Sequence, residues 1–182
     1  RREVVCKYVR REIRSLTKGD RERFLDAMKI IFTTSETKGR EMYGENFHSI
    51  GFFTELHLIG AGQKECDHFH DGMGVLNVHL ALVMMFEKSL QSIDPSLALH
   101  YWDYTIDATI YQDWRSDSPI FDDDWFGAAI PNSQDHTISQ GRWAKVPLPS
   151  VSFNITNAYG LLRSPWNENP LPYITRAKGS YG

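Results

Sequence analysis

The spacing of apolar residues changes character once, near Tyr104, and that change limits what this chain can fold into. Before it, apolar residues recur at three- and four-residue steps, the signature of helices with one buried face. Phe24, Leu25, Met28, Ile31 and Phe32 do so between Lys18 and Thr34, behind Thr17 and Asp20 as caps. Phe47, Ile50, Phe53, Thr54, His57 and Leu58 share a stripe from Glu45 to Ala61, where Gly60-Ala61-Gly62 supplies a stop. Leu76, His79, Leu80, Val83, Phe86, Glu87 and Leu90 continue the pattern from Val75 to Ile93, and Asp94-Pro95 closes it. After Tyr104, Pro119, Gly127, Pro131, Gly141, Pro147 and further Pro and Gly residues interrupt the sequence too often for a long helix. The expected fold is mainly α with a loop-rich C-terminal third, forming a single domain over residues 1–182.

Bulk properties narrow the function. A chain of 182 residues, 41% hydrophobic and 24% charged, has a globular composition. Its formal charge of −3 gives no reason to expect nucleic acid or an anionic membrane as partner. The basic start, Arg1, Arg2, Lys7, Arg10, Arg11 and Arg14, is interrupted by Glu3 and Glu12 and reads as a solvated face. No apolar run approaches the roughly 20 residues that span a bilayer. Cys6 and Cys66 define no disulfide framework and leave the compartment open. Asn154-Ile155-Thr156 is a glycosylation candidate at Asn154 only if the chain enters the secretory route.

The histidines carry the chemistry. His70 and His79 stand nine residues apart, with His57 upstream on a different helix. Neutral imidazoles suit copper, and three of them hold one ion while leaving a position open for dioxygen. One helix brings only neighbours such as i and i+4 together, so three donors must come from separate elements. His57 and His79 on two helices, with His70 in a loop made tight by Asp71, Gly72 and Gly74, meet that need. His68 competes with His70, and His48 competes with His57 as the upstream donor. Asp67 and Asp71 either accept the second imidazole N–H or cap the following helix. Asp122-Asp123-Asp124 lacks the spaced ligands of a calcium loop and reads as a solvated turn.

Together these residues resemble the tyrosinase family, which includes catechol oxidases and, more distantly, molluscan hemocyanins. The resemblance runs through Val9 to Leu16, Tyr43-Gly44, the His57 helix, His70 to His79, Phe86-Glu87-Lys88-Ser89-Leu90, Asp94-Pro95 and Tyr101-Trp102-Asp103. It continues through Gly141-Arg142-Trp143 and Leu162 to Asn167. It implies a type-3 copper domain built on a four-helix bundle, in which each of two coppers is held by three histidines. It places His57, His70 and His79 on the first copper, with Phe86, Glu87 and Asp103 around the ligands.

The implied activity is oxidation of phenols or catechols to o-quinones with dioxygen, so dioxygen and phenolic small molecules are the expected partners. A hemocyanin-like dioxygen binder and a catalytically inactive interaction domain are the alternatives. The chain departs from the family pattern around His79, where Val78 and Leu80 replace the usual aromatic and cationic neighbours, and at His100, which stands where proline precedes Tyr-Trp-Asp. After His79 only His100 and His136 remain. These 182 residues are therefore expected to be the first-copper part of a longer protein, inactive alone, with the second copper held by the other half of the same protein.

Overall fold

The computed structural model describes residues 7–61, 66–131 and 136–147, together with 156–157, 160–161, 173 and 176. Asn154, Cys6 and the Leu162 to Asn167 segment lie outside the described residues. The fold is mainly helical: α1 (Lys18–Thr33), α2 (Glu36–Tyr43), α3 (Ile50–Ala61), α4 (Gly74–Ile93), α5 (Tyr104–Ile110) and α6 (Trp114–Asp117). Single 3-10 turns occupy Ile13–Ser15 and Pro119–Phe121. Two two-residue strands, Thr156–Asn157 and Gly160–Leu161, pair antiparallel. No helix among the described residues is long and apolar enough to cross a membrane.

Helix α1 starts as its sequence dictates. The Thr17 hydroxyl accepts the Asp20 backbone N–H, satisfying one of the donors that a helix start leaves open. The apolar stripe predicted from the spacing faces inward, with Phe24, Leu25 and Ile31 buried. Helix α1 packs on both α3 and α4, and its stripe forms the main core with Phe47, Leu90, Leu97, Ile120 and Trp125. Each large side chain buried there contributes about 1.5–3 kcal/mol.

Two boundaries differ from the sequence reading. A helix over Glu36–Tyr43 was not expected, and Gly39 in its middle lowers its intrinsic propensity. The structure gives that glycine a reason: a Cβ there would lie 1.9 Å from Cε1 of the buried Phe47 ring. The expected helix from Glu45 begins instead at Ile50. Gly44, at φ +89°, ends α2 and turns the chain. Backbone groups of the next stretch are satisfied without helix. Glu36 accepts the Ser49 N–H at 2.7 Å, and the Ser89 hydroxyl accepts from His48 N at 2.9 Å and donates to His48 O at 2.8 Å. The Ser49 hydroxyl then accepts the Phe52 N–H as α3 begins.

The segment before α1 is zipped to the segment after α4. Ile13 donates to the Tyr101 carbonyl at 2.9 Å, and Tyr101 donates to the Arg11 carbonyl at 3.1 Å. Arg14 reaches across to the buried Asp107 carboxylate at 2.8 Å and to the Asp103 carbonyl at 2.8 Å. Trp102 also donates its indole N–H to Asp107. Beyond α6, Ile138, Trp143 and Val146 form a second small core against Met28 and Phe32 of α1. Arg142 pairs with Glu22 and Asp26 on the same helix.

Candidate metal centre

Three elements converge on one point. Helix α3 carries His57 one turn beyond the buried Phe53, α4 carries His79 in its second turn, and the loop between them carries His70. The loop can lie against both helices because glycines leave room for it. A Cβ at Gly60 would fall 1.7 Å from Cε2 of Phe69, and one at Gly74 would fall 2.2 Å from the His68 carbonyl oxygen. Gly72 turns the loop at φ +59°, a left-handed conformation that glycine adopts without strain. Phe69, itself buried, places its ring 5.0 Å from His57 and 5.8 Å from His79, forming an apolar wall beside the imidazoles.

His57, His70 and His79 each offer a nitrogen, and these three atoms lie within 4.8 Å of one another. Their ring centroids are 5.0 to 5.5 Å apart. The protonation chemistry suits metal binding. Burial, with the nearby His70 and His79, pushes His57 below the ordinary imidazole pKa, favouring the neutral ring that keeps a lone pair. His70 Nδ1 lies 2.7 Å from Asp67 Oδ2. An ionised carboxylate only accepts, so His70 carries its proton on Nδ1 and keeps the Nε2 lone pair for another partner.

Asp67 fills one of the two roles that its sequence position allowed: it takes the imidazole, whereas the N-cap of α4 is Met73, which makes no side-chain capping bond. Its Oδ1 accepts the backbone N–H groups of Phe69 and His70, each at 3.0 Å, while Oδ2 takes the imidazole. Burial opposes its ionisation, but the hydrogen bonds from the His70 ring and the two N–H groups outweigh it and hold the carboxyl below its usual range. His79 completes the set with a buried Nδ1 that has no hydrogen-bond partner among the described residues. A bound ion is one partner that would relieve the cost of such an atom. The donor set therefore fits a borderline-soft metal such as copper or zinc and lacks the oxygen ligands of a calcium or magnesium site.

The competing histidines are placed elsewhere. His48 precedes α3 and its Nδ1 is 2.9 Å from Glu36, with its ring stacked on Phe52 at 4.0 Å. His68 is exposed and outside the three-nitrogen group. His100 accepts the Arg11 N–H at Nδ1. Cys66 is half-buried and has no disulfide among the described residues.

Of the groups that the resemblance put around the ligands, Phe86 stands 5.3 Å from Phe53 and packs on the main core. Glu87 forms a two-pronged ion pair with Arg10, at 3.0 and 2.6 Å, and accepts the Leu99 N–H at 2.9 Å. Asp103 caps α5 through Thr105. These two carboxylates are engaged with other partners, and it is Asp67 that touches an imidazole of the cluster. The contact of Phe69 with Gly60 was not foreseen either; the only signal for it was a glycine followed nine residues later by an aromatic.

No family model matches the chain. It is similar to Tyrosinase-like protein 2 of Margaritifera margaritifera, 28% identical over 180 residues that make up 99% of this chain and 35% of that protein. Tyrosinase-like protein of Pinctada maxima is 27% identical over 180 residues, again 99% of this chain and 35% of the relative. The chain is a distant relative of tyrosinase-like proteins. A third similarity, to Putative tyrosinase-like protein tyr-3 of Caenorhabditis elegans, is 26% over 176 residues, 97% of this chain and 19% of that protein. The chain thus spans about a third of the length of the first two relatives, and the aligned stretch includes all three converging histidines.

Proposed function

We propose that the chain forms the first copper site of a two-copper oxidoreductase that oxidises phenols or catechols to o-quinones with dioxygen. The observation that carries this reading is the meeting of His57, His70 and His79 from three separate elements with their nitrogens within 4.8 Å. When bound, copper would supply the one-electron redox steps and the open coordination position that dioxygen needs. The overall reaction moves two electrons and two protons from each catechol, so one dioxygen accepts four electrons from two catechols and leaves as two waters.

The protein's own part is positioning. His57, His70 and His79 would hold the ion, Asp67 fixes the tautomer and aim of His70, and Phe69 excludes water from one side of the ring cluster. His70 is 45% exposed, so the opposite side of the cluster is open. Beside it, Leu76, Leu80 and Met84 form an exposed stripe at four-residue steps along α4, at 63%, 57% and 51% exposure. We assign that stripe to the second half of a longer protein, which would bring the second ligand set. The greater length of the relatives supports this.

Copper content is the direct test on this chain. After copper loading and desalting, about one ion per chain is expected for the wild type and strong depletion for His79→Ala. Equal copper in both would refute the site. On the full-length protein, oxygen uptake with a catechol above that of the apo protein is expected. Reversible oxygen binding without quinone would select the hemocyanin-like alternative instead.

A further inference from the structure

A second concave site lies where the N-terminal segment, the start of α1 and the loop after α4 meet. It is a cavity of about 410 Å³. Lys7, Arg11, Arg23 and His100 line it, against one lining carboxylate, Asp20.

The two arginines are held in place. Asp20 accepts Arg11 Nη2 on Oδ2 at 3.2 Å and Arg23 Nη2 on Oδ1 at 2.7 Å. Arg23 Nη1 is further tied to the Ser96 hydroxyl at 3.1 Å. These guanidinium hydrogen bonds hold the Asp20 carboxyl down at about 2, so it stays ionised as the brace between two cations. Asp94 Oδ2 also lies 3.6 Å from Arg23 Nη1, so two carboxylates face two guanidiniums and the Lys7 ammonium, and a net positive charge remains.

Donors also remain unspent. Arg11 Nε and Nη1 and the Lys7 ammonium have no partner among the described residues. His100 accepts the Arg11 backbone N–H on Nδ1, which leaves its neutral ring donating from Nε2. A planar guanidinium presents paired N–H groups that match the oxygens of a tetrahedral anion, and a braced one loses less entropy on binding. The remaining wall, Tyr8, Val9 and Leu97, is apolar, and the volume exceeds what a single inorganic anion fills.

We propose that this cavity binds a small soluble phosphate ester, its phosphate held by Arg11, Arg23 and Lys7 and its organic body against Tyr8 and Val9. Inorganic phosphate is the probe for the head group. Calorimetric titration of the full chain at constant ionic strength should give a saturable isotherm with phosphate and none with chloride. Arg11→Gln and Lys7→Gln should each weaken phosphate binding by about tenfold, the loss expected for one hydrogen bond between charged groups.

Lys7 has no side-chain partner among the described residues, so Lys7→Gln tests the site even if Arg11→Gln disturbs folding. Phenyl phosphate should bind more tightly than inorganic phosphate. A response to phosphate no greater than to chloride, or unchanged affinity in Lys7→Gln, would overturn the proposal. Binding to phosphatidic acid vesicles in place of free phosphate would overturn the assignment to a soluble ligand.

Discussion

Replacing Gly60 by alanine sets two effects of opposite sign against each other, and the structure decides between them. Alanine in place of glycine inside an exposed helix stabilises it by up to about 1 kcal/mol. Gly60 is the next-to-last residue of α3, so only part of that gain is expected. Against it stands a Cβ 1.7 Å from Cε2 and 2.0 Å from Cδ2 of Phe69. Phe69 is 6% exposed and wedged between His57 and His79, so its ring cannot swing into solvent without leaving the wall of the cluster. Overpacking of this kind costs about 1–3 kcal/mol. The net expectation is destabilisation of roughly 1–2 kcal/mol, together with weaker copper binding because the displaced ring carries His70 with it. Urea unfolding followed by circular dichroism measures the first, and competition with a copper chelator measures the second. Phe69→Leu should relieve the clash, so the double variant should lose less than the sum of the two single losses. If Gly60→Ala proved as stable as the wild type and bound copper equally well, the packing of the loop on α3 would be wrong.

Asp67→Asn keeps the size of the side chain but offers His70 an amide, so copper affinity should fall by about ten- to hundredfold while the far-ultraviolet spectrum stays unchanged. An unaltered affinity by chelator competition would show that His70 does not depend on this carboxylate. His48→Phe and His68→Ala should both retain copper by metal analysis, because neither ring belongs to the cluster, whereas His70→Ala should lose it. The Arg10 hydrogen bond, outweighing burial and aided by Leu99, holds Glu87 below its ordinary pKa. A lowered carboxylate pKa stabilises the fold above the unfolded value of about 4.3 and loses that contribution as pH falls through the folded value. Thermal melts of the wild type should therefore drop more steeply below about pH 4 than those of Glu87→Gln, and parallel curves would contradict the ion pair.

Helices α1 and α4 were legible because a buried face repeats over several turns, a cap marks the start of α1 and a stop marks the end of α4. Thr17, Asp94 and Pro95 stand where the structure uses them. The cluster was legible in outline for a different reason: His57, His70 and His79 are few, distinctive and separated by turn signals. What the sequence could not show is set by contacts between residues far apart along the chain. Helix α2 depends on Phe47 filling the space at Gly39, and the late start of α3 depends on Ser89, 41 residues beyond His48, satisfying its backbone. The choice between Asp67, Glu87 and Asp103 as partner of an imidazole was likewise a matter of geometry. All three are acidic residues near suggestive motifs, and only Asp67 has a histidine ring within hydrogen-bond reach.

That outcome divides α4 into two halves with different work. Its C-terminal half is clamped: Ser89 and Leu90 are buried, Ser89 holds the His48 backbone, and Glu87 ties the helix to Arg10 and to the Leu99 backbone. Its N-terminal half carries His79 and leaves Leu76, Leu80 and Met84 exposed. Arg10 and Arg11 belong to the strip that zips onto Tyr101, so the same few residues fix the far end of the helix and the segment that follows it. A helix held firmly at one end presents its other end at a defined angle, which is what the proposed role of His79 in the second turn requires. The motif residues Glu87 and Asp103 therefore bear on the cluster through the placement of α4 and α5. Their replacement should disturb copper binding only to the extent that it moves His79.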